Sequence, residues 1–266
     1  MTAGSAGSPK VVILAGGRGT RIGEESYLRP KPMIEVGGRP ILWHIMKIYS
    51  HYGLHDFIVC LGYKGEVIKE YFMNYRMHRS DITVDLVGDH VEFSSSKVEP
   101  WRITLVDTGE RTMTGGRVKR IAHLLPSGEP FCLTYGDGVG NVDVTGELDF
   151  HRSHGRVATM TVVRPPARYG NARIADGRVV QFTEKAQADA GQISGGFFVL
   201  QPEVMDLIDG DTTTFEAEPL EQLAERGQLV AWEHDGFWHP MDTMRDRDQL
   251  EQLWASGEAR WKVWDD

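Results

Sequence analysis

Apolar positions along this chain fall into two rhythms. From Val11 to Ala15 every residue is apolar and the run stops at Gly16-Gly17, so Lys10 to Ala15 is predicted as a strand covered on both faces that feeds a glycine loop. From Ile41 to Tyr52 the apolar residues fall at 41, 45, 48 and 52 and again at 42, 46 and 49, the spacing of a helix. Asp56 to Leu61 reads as a second strand and Glu66 to Tyr75 as a second helix, the alternation of a parallel sheet with crossover helices. Ile82 to Val87 and Ile103 to Val106 are predicted strands. A helix from Arg117 to Leu125 stops before Pro126, and the strand Phe131 to Tyr135 runs into Gly136-Asp137-Gly138. The second half is richer in strands: Ala158 to Val163, Ala172 to Ile174, Val179 to Thr183 and Ile193 to Leu200, with a turn at Asp176-Gly177. Helices are expected at Glu203 to Ile208, Pro219 to Arg226 and Arg245 to Trp254. The pattern is that of an α/β protein with a mixed, mostly parallel sheet flanked by helices.

No repeat or low-complexity block interrupts the chain after Pro9. Residues 10–266 are therefore expected to form a single domain, with 1–9, small and uncharged, as a disordered tail. Apolar residues at 41% and charged residues at 25% exclude a disordered, collagenous or coiled-coil chain. The balance of 29 bases against 38 acids, a net charge of −9, argues against a nucleic-acid or anionic-membrane binder. Phosphate ligands stay open, because a screening length of about 8 Å lets a few local cations outweigh a distant acidic surface. No apolar run approaches the roughly 18 residues of a membrane span and no basic leader is present, so a cytoplasmic protein is expected. Cys60 and Cys132 lie in apolar runs without a CxxC neighbour and read as buried thiols.

Chemistry gathers at a few places. Leu14-Ala15-Gly16-Gly17-Arg18-Gly19-Thr20-Arg21 follows a strand, and its glycines let backbone N–H groups converge on an anion while Arg18 and Arg21 add charge. Ile22 stands where a dinucleotide fingerprint needs a small residue, and no Gly-Lys-Ser/Thr is present, so neither a nicotinamide site nor a Walker loop fits. Lys31 sits between Pro30 and Pro32, a stiff setting for a positioned cation, although spacing alone favours a proline turn with a solvated lysine. Asp137 past a strand end and Asp242 after Trp238-His239-Pro240-Met241 could together hold Mg²⁺, but spacing cannot bring them together. Glu184-Lys185 closes one strand and Ser194-Gly195-Gly196 opens the next, so a cation and an accessible backbone could face one another across a hairpin. His51 and His55 stand four apart without a third ligand, and Phe237, Trp238, Trp254, Trp261 and Trp264 read as core or interface.

In this order the pieces resemble the sugar-1-phosphate nucleotidylyltransferases, and within them the branch of glucose-1-phosphate cytidylyltransferases. The carriers are LAGGRGTRI at 14 to 22, PKPMIEVGGRPILWHIMKIYS at 30 to 50, GYKGEVIKEYF at 62 to 72, VEPWRITLVDTG at 98 to 109, TGGRVKR at 114 to 120, TYGDGV at 134 to 139, GGFFVL at 195 to 200 and GFWHPMDTMRD at 236 to 246. The resemblance implies a Rossmann-like sheet with a smaller β-rich, sugar-binding portion in the second half, and transfer from CTP to a sugar 1-phosphate with Mg²⁺. It implies that Leu14, Ala15, Gly16, Gly17, Gly19, Thr20 and Arg21 hold the triphosphate, with Arg21 on the departing pyrophosphate and Lys31 near the reacting phosphorus. Thr114, Gly115 and Gly116 would lie near the base. Tyr135, Gly136, Gly170, Glu184, Lys185, Ser194 and Gly195 would meet the sugar phosphate, and Asp137 and Asp242 the metal. Relatives form homo-oligomers, and the Trp261 and Trp264 tail would suit an interface.

Three departures fall on the sugar side. Ala186 follows Lys185 where the family has proline, Ser194 precedes Gly195 where it has asparagine, and Arg168 to Arg173 replaces a more apolar stretch. The reaction class is thereby read more firmly than the sugar, for which glucose 1-phosphate is the leading expectation; a modified sugar 1-phosphate or another nucleoside triphosphate is the alternative. A non-catalytic nucleotide-sugar binding protein is the rival from another class. It would be expected to have lost Lys31, Asp137 or Asp242, all of which are present.

Overall fold

A computed structural model describes residues 8–19, 22–23, 25–95, 97–165, 171–175, 178–183 and 191–265. The expected tail therefore lies largely outside the described residues, as does the turn at Asp176-Gly177. Strand β1 (Val11–Ala15) leads to α1 (Ile41–His51), β2 (Asp56–Leu61), α2 (Gly65–Met73), the hairpin of β3 (Asp81–Asp85) and β4 (His90–Ser94), β5 (Arg102–Asp107), α3 (Thr114–Arg120), β6 (Phe131–Tyr135), β7 (Gly138–Gly140) and α4 (Val144–His154). Then come β8 (Ala158–Val163), the paired β9 (Asn171–Ala175) and β10 (Arg178–Thr183), β11 (Ile193–Leu200), α5 (Glu218–Glu225), β12 (Leu229–His234), β13 (Trp238–Pro240) and α6 (Met244–Ala255).

Seven strands form the central sheet in the order β12-β8-β11-β6-β1-β2-β5. β1 is parallel to β2 and β6, β2 to β5, and β8 to β12, whereas β11 runs antiparallel to both neighbours. The continuous apolar run of β1 follows from this position. Val11, Ile13 and Ala15 enter the core on one face, with Phe57, Val59 and Leu61 of β2, and Val12 and Leu14 enter the other with Ile58 and Cys60. Each fully covered aliphatic side chain contributes roughly 1.5–3 kcal/mol. Cys60 and Cys132 are free and buried, and burial pushes the Cys60 thiol up to about 12. Among the described residues no helix is long and apolar enough to cross a membrane.

Several elements depart from their sequence expectation. The helix expected over 117–125 begins at Thr114 and ends at Arg120, since Gly115 and Gly116 let its first turn press against Thr213 and Asp211 at distances no Cβ would allow. The expected helix over 66–75 breaks at Asn74. The strand expected over 82–87 ends at Asp85, whose carboxylate accepts from the N–H groups of Val87 and Gly88 and turns the chain into the unforeseen β4. Helix α4 also escapes the apolar pattern because Glu147 and His151 occupy its buried face. Residues 202–207 form 3₁₀ turns rather than α-helix. Trp261 and Trp264, expected in the core or at an interface, belong to the core: Trp261 Nε1 donates to His44 Nδ1, and Trp264 meets Trp43 edge-on.

Candidate active site

The carboxyl ends of β1, β5 and β6 open on one edge of the sheet, where open α/β folds bind ligands. A cavity of about 810 Å³ lies there, walled by 14–19 on one side, 110–114 on another, and Tyr135, Gly136, Asp137, Lys31 and Asp242 on the third. Gly19 has φ of 59°, and a Cβ there would stand 2.9 Å from the Cβ of Lys31, so the loop needs glycine for both conformation and space.

The loop rests on an arginine. Arg117 of α3 is 4% exposed and donates to the carbonyls of Leu61, Gly16 and Glu110 and to Thr108 Oγ1. Its guanidinium thus ties together the ends of β1 and β2 and the segment after β5. Burial lowers its pKa, but a guanidinium stays charged, so a fixed positive charge lies directly behind the glycine backbone.

Lys31 is not solvated. The two prolines hold it in a 3₁₀ turn, and its ammonium donates to Asp137 Oδ2 at 2.6 Å and to Asp242 Oδ1 at 2.7 Å. Burial works against the charged form, yet the two carboxylates outweigh it and hold the lysine above its ordinary range. Asp137 and Asp242 meet because β7 and β13, which follow and precede them, pair antiparallel: Gly138 opposes Pro240, Val139 opposes His239 and Gly140 opposes Trp238. The Met241 N–H donates to the Asp137 carbonyl and locks that end of the ladder. Asp242 in turn stands at the start of α6, where Asp246 accepts from its N–H within a capping box formed with Thr243.

This pair fits a hard divalent cation of the Mg²⁺ kind. Both donors are carboxylate oxygens, they already enclose a cation in the form of the lysine ammonium, and such ions take one or two carboxylates and draw the rest of their shell from phosphates and water. No group of three or more His, Cys, Asp or Glu among the described residues is placed to hold a metal ion.

A second, smaller pocket of about 70 Å³ adjoins the first and shares Tyr135 and Asp137 with it. Its wall is a bulge in β11. Pairing with β8 skips from Phe198 opposite Met160 to Ser194 opposite Val162, leaving Gly195 and Gly196 looped out of register. Gly196 has φ of 77° and donates its N–H to Ser194 Oγ, while the Gly195 carbonyl accepts from Trp238 Nε1.

Of the residues singled out in the sequence, Leu14, Ala15, Gly16, Gly17, Gly19, Lys31, Thr114, Tyr135, Gly136, Asp137 and Asp242 line the large cavity, and Ser194 and Gly195 the small one. Gly115 and Gly116 lie behind the wall, packed on Thr213 and Asp211. Thr20, Arg21, Gly170, Glu184 and Lys185 lie outside the described residues. Glu110, Arg111, Thr112, Met113, Arg117 and Trp238 line the pockets without having been foreseen as site residues. The position of 110–113 directly after a parallel strand is the signal that would have found them.

The pattern of the nucleotidyl transferase family matches residues 10–246. Over 96% of its length the chain is 56% identical to the whole of the glucose-1-phosphate cytidylyltransferase of Salmonella typhimurium. It is 31% identical to the mannose-1-phosphate guanyltransferase of Saccharomyces cerevisiae, over 91% of this chain and 63% of that one. A crystal structure of UDP-glucose pyrophosphorylase complexed with UDP-glucose superposes with a TM-score of 0.66 at 14% identity, covering 94% of this chain and 99% of the other, a likeness of fold.

Proposed function

The chain belongs to the nucleotidyl transferase family, and from that premise we propose that it transfers the cytidylyl group of CTP to a sugar 1-phosphate, glucose 1-phosphate first among them, releasing pyrophosphate. The observation that carries this reading is the meeting of Lys31, Asp137 and Asp242 where the glycine-walled cavity joins the smaller pocket. The activity named for the Salmonella relative supports CTP and glucose 1-phosphate over the guanylyl and mannosyl chemistry of the yeast one.

In this reading an ionised phosphate oxygen of the sugar phosphate attacks the α-phosphorus in line, and the bond from that phosphorus to the bridging oxygen breaks as pyrophosphate leaves. The nucleophile is already an anion, so no general base is required and the protein supplies alignment and charge. The loop 16–19, backed by Arg117, receives the triphosphate together with Thr20 and Arg21, of which Arg21 takes the departing pyrophosphate. Lys31 turns its ammonium from the carboxylates to the oxygens of the α-phosphate. Thr114 borders the base, with Gly115 and Gly116 packed behind it against Thr213 and Asp211. Tyr135, Gly136, Ser194 and Gly195, with Gly170, Glu184 and Lys185, receive the sugar phosphate. Asp137 and Asp242 would hold Mg²⁺, which would neutralise phosphate charge. Ser194 is shorter than asparagine and spends its hydroxyl on the Gly196 N–H, which leaves room for a modified sugar. The protein is read as cytoplasmic and as working in an assembly of copies; the hairpin β3–β4, with Leu86 and Val87 90% and 98% exposed, is the surface that favours the latter.

Pyrophosphate release, measured for each nucleoside triphosphate crossed with several sugar 1-phosphates, tests the reading. CTP with glucose 1-phosphate is expected to be the best pair and to require Mg²⁺. Folded protein that releases pyrophosphate from no pair would return the chain to the binding-protein reading.

A further inference from the structure

Tyr135 is the side chain that the two pockets share besides Asp137, so the placing of its ring sets the boundary between them. One face of the ring lies against the Gly196 backbone, where a Cβ would come within 2.6 Å of it. The phenol is tied at its far end, donating to Glu216 Oε1 at 2.5 Å. The other oxygen of the same carboxylate accepts from Thr114 Oγ1, also at 2.5 Å, at the first residue of α3 on the wall of the larger cavity. Thr114 Oγ1 in turn accepts from the Phe215 N–H.

The segment that carries Glu216 is itself well anchored. Phe215 is buried and meets Phe198 edge-on, as Phe198 meets Tyr135, so an aromatic chain links the segment to the ring that Glu216 holds. Upstream, the Asp211 carboxylate takes two hydrogen bonds from Arg120, and its carbonyl accepts from the Met113 N–H. A phenol is protonated at neutral pH and a carboxylate can only accept, so Tyr135 is the donor of this pair.

We infer that Glu216 is a positioning residue for both substrates, its two carboxylate oxygens setting the Tyr135 ring on the sugar side and the Thr114 hydroxyl on the nucleotide side. The inference rests on the proposed reaction for the identity of the two substrates. Because Glu216 lines neither pocket, it acts through these two hydroxyls and touches no reacting atom.

The test is steady-state kinetics with CTP and glucose 1-phosphate on the full chain, with Tm for each variant and calorimetric binding of CTP alone. Glu216→Ala should raise both KM values roughly tenfold, the scale of a lost hydrogen bond to a charged group, and leave kcat within about threefold. Tyr135→Phe should raise chiefly the KM for glucose 1-phosphate, and Thr114→Val chiefly that for CTP. Glu216→Gln, which keeps an acceptor for one hydroxyl, should recover part of the loss. Unchanged KM values in Glu216→Ala would overturn the inference. So would a fall in kcat and Tm with both KM values intact, the mark of a structural residue. If wild type turned over no pair, the proposed reaction would fail first, and CTP affinity in Glu216→Ala and Thr114→Val would still decide the nucleotide half. Wild type that also bound no CTP would overturn both.

Discussion

Two of the buried polar clusters among the described residues treat charge in opposite ways. At the sheet edge Lys31 is 8% exposed but keeps its charge between Asp137 and Asp242, whose carboxylates open on the cavity. Beneath the sheet Glu147 of α4 accepts from Thr161 Oγ1 at 2.7 Å and makes no ion pair among the described residues. Burial there pushes its carboxyl up to about 8. Around it His151 accepts from the Gln201 amide at Nε2, which leaves Nδ1 to donate to Thr159, and burial lowers this histidine to about 4. The sealed cluster is a neutral network that satisfies α4 against β8. The open one holds paired charge within reach of a ligand. Burial alone therefore does not mark a functional residue; retained charge facing a cavity does.

Lys31→Ala should sharpen this contrast most. Removing one preorganised cation from a phosphoryl transition state is expected to lower kcat by roughly two to three orders of magnitude. Tm should fall only slightly, because the freed carboxylates hydrate through the cavity. Stopped assays and a melting curve on the same preparation check both, and a large loss of Tm with kcat intact would make Lys31 structural.

Asp137→Asn and Asp242→Asn come next. Each should raise the Mg²⁺ concentration for half-maximal activity by roughly tenfold or more, since a neutral amide is a poorer ligand for a hard cation. Wild-type metal dependence in either variant would remove that residue from the pair.

Glu147→Gln is the smallest effect and probes the sealed side. The folded carboxyl titrates at about 8 and an unfolded one near 4.5, so the folded state binds more protons between these values and wild-type stability must fall as pH rises through that window. His151 acts oppositely: held neutral down to about 4 against 6.5 unfolded, it favours the folded state less as pH drops across that range. Glu147→Gln should therefore melt a few degrees closer to its pH 6 value at pH 8 than wild type does, with kcat/KM unchanged. Melting curves at pH 6, 7 and 8 check this. Identical pH profiles would mean that Glu147 is ionised or hydrated in the folded protein.

Strands β1, β2, β6 and β11 and helix α1 were legible in the sequence because their apolar rhythm matches their burial. Helix α4 was not, because a buried face made of Glu147 and His151 looks like a solvated one until Thr161, Thr159 and Gln201 are seen against it. The start of α3 was hidden by Gly115 and Gly116, poor helix formers whose value lies in close contact with 211–213. Glu216 stands in a segment with no periodic signal at all.

What the sequence by itself determined is local: a glycine loop past a buried strand, a lysine stiffened by two prolines, an acid placed just beyond a strand end. These follow from backbone stereochemistry and short-range periodicity, which few neighbouring residues suffice to set. Only the tertiary structure decided that Lys31 is paired rather than solvated, that Asp137 meets Asp242 across three pairs of β7 and β13, and that one carboxylate at 216 reaches both pockets. Such pairings join residues 81 to 211 positions apart, and they depend on register and on which polar groups must find partners once water is excluded.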